Sequence, residues 1–139
     1  MSYPAIYPGS CECGECTFEV TAPLRPIINC HCIQCRKQSG HYWATTFATT
    51  DQITISGKRS LTWFQSSDCV RKGFCRLCGS SLFWMLEGRD GLSISGGAFD
   101  APLPVKHEKH IFVAEKACYY DINDGLPQAP HYELPGAAI

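Results

Sequence analysis

An excess of charge of either sign is what the sequence most plainly lacks. Twelve Lys and Arg stand against thirteen Asp and Glu, and charged residues make up only 18% of the 139. Proteins that hold nucleic acid usually present a basic face, so no nucleic-acid partner is expected. Apolar runs are short as well. None approaches the roughly 20 residues needed to cross a bilayer, and no membrane partner is expected. The opening stretch from Met1 to Pro8 has neither a basic start nor an apolar core, which argues against a secretion signal and for a cytoplasmic protein. Helical periodicity is scarce too, never lasting beyond about two turns. Apolar content is ordinary at 45%, enough for a folded chain. The length suits a single domain over residues 1–139.

The pattern along the chain is that of short strands. Residues 1–10, with two Pro and a Gly, read as an extended lead-in. Between Gly14 and Val20, Cys16, Phe18 and Val20 alternate with polar residues, which predicts a half-buried strand closed by Pro23 and Pro26. Cys32 to Ser39 shows no alternation and ends at Gly40, which predicts a short helical turn. Further strands are predicted over Tyr42–Thr50, Gln52–Ser56, Arg59–Gln65, Ser81–Leu86, Gly91–Ser95 and Lys109–Val113, with Gly57, Gly73, Gly88, Gly91 and Gly96-Gly97 as turns. The Pro-rich segment 121–139 is expected to wrap in order and then fray. The fold class is mainly β with little helix, and a sheet so fragmented gains from metal staples.

Ten cysteines are what the sequence has in abundance: Cys11, Cys13, Cys16, Cys30, Cys32, Cys35, Cys69, Cys75, Cys78 and Cys118. In a reducing compartment clustered thiols bind metal more often than they form disulfides. A C-x2-C step turns both thiolates toward one point, and a following Gly supplies the positive φ of the turn. Cys75-x2-Cys78-Gly79 has this form but offers two ligands, whereas a closed structural zinc needs four. Cys11 and Cys13, followed by Gly14, supply the other half. Buried free thiols or an iron site of rubredoxin type are the competing readings. Cys30, Cys32 and Cys35 offer three thiolates and leave one coordination position vacant, the arrangement of a catalytic zinc. The helical turn after Cys32 and the pair Arg36-Lys37 would lower their pKa. A second structural site closed by Cys69, His31 or His41, or an Fe–S cluster, stands against that reading. Cys16 and Cys118 are expected as small core residues and His110 as a hydrogen-bonded structural histidine. Cys69 is left unassigned.

Three motifs carry a resemblance: Gly9-Ser10-Cys11-Glu12-Cys13-Gly14, Cys30-His31-Cys32-Ile33-Gln34-Cys35-Arg36 with Ser39-Gly40, and Gly73-Phe74-Cys75-Arg76-Leu77-Cys78-Gly79-Ser80. With His110-Ile111-Phe112-Val113 and Asp124-Gly125-Leu126-Pro127 they resemble the glutathione-dependent formaldehyde-activating enzyme family, over a core of about 9–127 that leaves 128–139 as a tail. The resemblance implies an Mss4-like fold of several short sheets gathered around two zinc ions. By position, Cys11, Cys13, Cys75 and Cys78 would hold the structural zinc, and Cys30, Cys32 and Cys35 the catalytic one. Where relatives commonly carry Pro-Trp, this chain has Cys118-Tyr119, a changed wall of the site.

The expected function is a zinc-dependent carbon–sulfur lyase-type enzyme, like an S-hydroxymethylglutathione synthase, acting on a glutathione-like or other small thiol adduct. Arg36, Lys37, Arg59, Arg71 and Lys72 are candidates for a substrate carboxylate. The alternative is a non-catalytic, zinc-stapled protein-interaction module. A vacant position beside a pocket favours the enzyme, and a fourth protein ligand or a flat apolar surface favours the module.

Overall fold

The computed structural model describes residues 5–132; the predicted frayed end from 133 lies outside them. Ten strands, one α-helix and three short 3-10 turns make up the described chain. A three-stranded antiparallel sheet orders β1 (Ile6–Ser10), β2 (Thr17–Thr21) and β5 (Ile53–Ser56) as β1-β2-β5. The larger sheet contains β3 (Ile27–Cys30), β4 (Trp43–Ala48), β6 (Leu61–Gln65), β7 (Val70–Cys75), β8 (Ser81–Leu86), β9 (Leu92–Ser95) and β10 (His107–Ile111). Its order is β10-β3-β4-β9-β8-β7-β6, antiparallel except for the parallel pair β10 and β3. The mainly β expectation holds.

Alternation of buried and outward residues marks β2 and β5. Phe18 and Val20 of β2 point inward while Thr17 and Glu19 face solvent. Phe18 meets Phe83 and Phe99 edge-on, with ring centroids 5.5 and 5.2 Å apart. Around them pack Cys11, Cys16, Ala48, Cys75, Leu82, Leu92 and Ile94, all buried. The first cysteine cluster therefore grows out of the main core. Ile28, Ile111 and Ala129 form a second, smaller core against which Cys30 and Phe112 pack. Ala129 reaches it because the chain after residue 120 runs alongside β10, where the Ala129 N–H donates to the His110 carbonyl at 2.8 Å. The ordered wrap is present.

Three strands were not foreseen. Residues 6–10 are not a lead-in but a strand paired with β2, from Ile6 opposite Thr21 to Ser10 opposite Thr17. The strand β3 begins directly after Pro26 and has three successive buried residues, so alternation could not mark it. In β7 the polarity is inverted at one point: Arg71 is exposed but Lys72 is buried, and a buried lysine reads as loop in a hydrophobicity pattern. Cys118 is a correction as well. It is exposed, not a core residue, because it lies in the irregular stretch beyond β10. Cys16 is 1% exposed, as expected.

Candidate metal centre and active-site cavity

The first cluster assembles at the ends of distant segments. Cys11 and Cys13 lie in the loop between β1 and β2, Cys75 ends β7, and Cys78 follows in the turn to β8. The Sγ atoms of Cys11 and Cys13 are 3.6 Å apart and those of Cys13 and Cys75 are 3.7 Å apart. Tetrahedral zinc with Zn–S bonds of about 2.3 Å requires sulfurs about 3.8 Å apart, so this donor set fits such an ion. Gly14 and Gly79 take φ of +82° and +79°, the turn that lets backbone amides face the sulfurs. The Cys16 N–H donates to Cys11 Sγ at 3.3 Å. The amides of Cys78 and Leu77 hold Cys75 below the ordinary thiol range. The Ser80 hydroxyl, 3.2 Å from Cys78 Sγ, helps bring Cys78 down to about 6. Burial, then the neighbouring Cys75, pushes Cys16 up to about 12, and Cys16 stays outside the ligand group.

The second cluster sits where β3 passes into the helix α1 (Ile33–Ser39). Cys30 ends the strand, Cys32 is the N-cap and Cys35 lies one turn in. The Cys32 sulfur accepts from the Cys35 N–H at 3.4 Å, and Gly40 closes the helix in the left-handed region. The Glu115 carboxylate accepts from the Ile33 N–H at 3.1 Å, satisfying another amide of the first turn. The three sulfurs lie within 4.8 Å of one another, and among the described residues no other Cys, His, Asp or Glu joins them. Cys30 and Cys35, then the amides of Cys35 and Gln34, hold Cys32 well below the usual thiol range. Hydrogen bonding to Cys32 comes first in raising Cys30 to about 12, and Cys30 in raising Cys35. One thiolate, on Cys32, is thus held by hydrogen bonds from the other two thiols, and the three converging sulfurs are the soft donors a thiophilic cation prefers. Both groups could hold a metal ion.

This second cluster opens on a cavity of about 980 Å³. Trp43, Trp84, Ile33 and Ile111 supply apolar wall; Arg25, Lys72, Arg89, Glu87 and Glu115 supply charge. Of the five cations singled out in the sequence, Lys72 alone lines it. Arg71 instead lies over the Trp63 ring at 5.2 Å, and Arg36, Lys37 and Arg59 are not in the wall. Arg25 and Arg89 were missed. They stand over the Phe47 ring at 6.0 and 4.1 Å, a convergence of β4 with two loops that no local motif announces.

His31, between two of the sulfurs in sequence, points elsewhere and is fully buried. Its Nδ1 lies 2.5 Å from the Tyr120 hydroxyl and its Nε2 2.8 Å from His110 Nδ1. His110 Nε2 in turn lies 2.7 Å from Asp124. One tautomer set satisfies every member: Tyr120 donates to His31, His31 to His110, and His110 to the carboxylate. Both ring nitrogens of His31 are engaged, so it is not the remote fourth ligand. His110 is the structural histidine expected. Burial, then the neighbouring His110, pushes His31 down to about 4, keeping it neutral. The His110 hydrogen bond holds Asp124 below the ordinary carboxylate range. A carboxylate with a depressed folded pKa adds stability above its unfolded pKa and loses it as pH falls through the folded one. Asp124→Ala is therefore expected to melt below wild type at neutral pH, with a gap that closes as pH falls through the carboxylate range. A gap independent of pH in thermal melts would remove this account.

A β fold closed by one four-cysteine cluster, with a second, three-cysteine cluster facing a cavity, defines a cysteine-stapled β class with a candidate metal site open to small molecules. The chain belongs to the glutathione-dependent formaldehyde-activating enzyme family, whose model matches residues 6–115. A Schizosaccharomyces pombe protein named as an uncharacterized lyase is 22% identical over 120 residues, covering 83% of this chain and 84% of that protein. A Rhodobacter sphaeroides protein of known crystal structure shares the fold, with a TM-score of 0.59 and 21% identity over 70% of this chain and 91% of that one. Among the described residues no helix is long and apolar enough to cross a membrane.

Proposed function

We propose that this protein is a zinc-dependent carbon–sulfur lyase-type enzyme that joins a small thiol of the glutathione kind to an aldehyde carbon, or releases it. The observation that carries the reading is the three-sulfur cluster, which no fourth ligand closes among the described residues and which faces a cavity of about 980 Å³. Family membership supports the thiol and aldehyde classes, and the yeast relative's name supports the lyase class. A mixed, concave wall fits a substrate site better than the flat apolar surface of an interaction module.

In this reading Cys11, Cys13, Cys75 and Cys78 hold a structural zinc, and Cys30, Cys32 and Cys35 a catalytic one. When bound there, the ion supplies positive charge that favours a thiolate at neutral pH. The chain's own residues do the rest. Cys32 caps the helix and so fixes the spacing of two ligands. Trp43 and Trp84 cover the apolar part of the substrate and exclude water, while Arg25 and Arg89 lie within reach of its carboxylates. A sulfur–carbon bond forms, the carbonyl π pair moves to oxygen, and the proton lost from sulfur ends on that oxygen. No oxidant is needed. Residues 9–127 act as one domain in this scheme.

The test is exchange spectroscopy by NMR on glutathione and formaldehyde with the zinc-loaded protein. Formation and breakdown of S-hydroxymethylglutathione are expected to run faster than in buffer, and other small thiols to compete. If neither glutathione nor any small thiol binds, the enzymatic reading is lost.

A further inference from the structure

The cavity contains a charge that the fold leaves without a carboxylate. Lys72 on β7 is only 7% exposed, and its Nζ donates to the Gln34 side-chain oxygen at 2.9 Å. That oxygen is neutral and also accepts from the Ser66 hydroxyl at 3.3 Å. Across the strands Lys72 stands opposite Trp84, another wall residue. Among the described residues no ion pair reaches it. An ammonium buried on a neutral acceptor is costly unless negative charge lies nearby. The charge available is sulfur: Gln34 sits on α1 between Cys32 and Cys35, and while burial, the largest cause, holds Lys72 below the ordinary lysine range, the sulfurs of Cys35, Cys32 and Cys30 act in the opposite direction. Three thiolates around a dication leave one negative charge, and a fourth sulfur makes two. Dry surroundings oppose that second charge unless a cation faces it.

We propose that Lys72 is the cavity's anion-holding residue, its ammonium balancing the negative charge of a substrate sulfur that enters beside Cys30, Cys32 and Cys35. The inference rests on the thiol reading above and deepens it. Lys72 had been a candidate for a substrate carboxylate; its burial next to the sulfur cluster assigns it to the sulfur instead. The carboxylates are left to Arg25 and Arg89, which line the same cavity. Lys72 meets the thiolate directly, and its hydrogen bond to Gln34 is not what gives it that role.

The experiment is calorimetric binding of two probes, glutathione and the uncharged thiol 2-mercaptoethanol, to zinc-loaded wild type, Lys72→Met, Lys72→Arg and Gln34→Leu. Zinc content and melting temperature are followed alongside. Lys72→Met is expected to keep both metals and to weaken both thiols about tenfold or more. Lys72→Arg, which keeps the charge, should stay within about threefold of wild type, and so should Gln34→Leu. Should Lys72→Met fail to fold, Lys72→Gln carries the same comparison. Unchanged binding in the neutral variant overturns the proposal. So does a loss confined to glutathione, which would return Lys72 to its carboxylates, and so does an equal loss in Gln34→Leu, which would make Lys72 a tether for the helix. Wild type that binds neither thiol instead removes the thiol reading itself, and this inference with it.

Discussion

Cys75→Ser is expected to leave the chain unable to hold its native fold. The residue is completely buried, ends β7 and packs in the main core beside Phe83 and Leu82. Its sulfur also lies 3.7 Å from that of Cys13, 62 residues earlier in the chain. In the proposed assignment serine removes one of four ligands from a closed site. A structural zinc contributes on the order of 10 kcal/mol to folding, comparable with the whole stability of a small domain, roughly 5–15 kcal/mol. The long segment it closes makes the staple more effective, because the unfolded chain loses more freedom. Circular dichroism should show loss of cooperative melting and metal analysis the loss of bound zinc, with a chelator producing the same state from wild type. A variant that melts within a few degrees of the parent would mean that apolar packing alone holds β7 to the β1–β2 loop.

Cys32→Ser, by contrast, is expected to abolish activity while the fold survives. The side chain is half-buried and stands at the N-cap of α1, where its sulfur accepts from the Cys35 amide. Serine is among the best N-cap residues, so the helix keeps its first hydrogen bond. What is lost is one of three sulfurs facing the cavity. Zinc content should fall from two per chain to one, and the rate of S-hydroxymethylglutathione formation about a thousandfold, equivalent to about 4 kcal/mol of transition-state stabilisation. Far-UV spectra should overlay those of wild type. Global unfolding would instead identify the middle cluster as a second structural staple. The pair of variants therefore separates the two clusters by their consequences: one substitution removes the fold, the other the chemistry.

The clusters themselves could be read along the chain because their chemistry is local. A C-x2-C turn followed by glycine brings two sulfurs together through backbone geometry spanning five residues, and the left-handed Gly79 shows that turn in place. Cys32 heads a helix for an equally local reason, since the next residues lack alternation and Gly40 stops them. Strands with clean alternation, such as β2 and β5, were legible on the same grounds. Where local pattern and environment part company, the reading failed. Lys72 carries a charge into a buried strand position, Cys118 carries an apolar side chain to the surface, and β3 is buried without alternating.

Residue order and spacing alone thus decided that the chain is mainly β, to which family it belongs, and which cysteines lie close together. The cavity was beyond their reach. Its wall joins β3, β4, β7, β8 and the segment after β10, brought side by side by hydrogen-bond registers between strands far apart in sequence. The parallel pairing of β10 with β3 sets Ile111 against Cys30, and β7 against β8 sets Lys72 against Trp84. Such pairings depend on closing long loops and on the packing of the entire sheet, and no short motif encodes them. That is why the sulfurs could be foreseen but not the buried ammonium that shares their cavity.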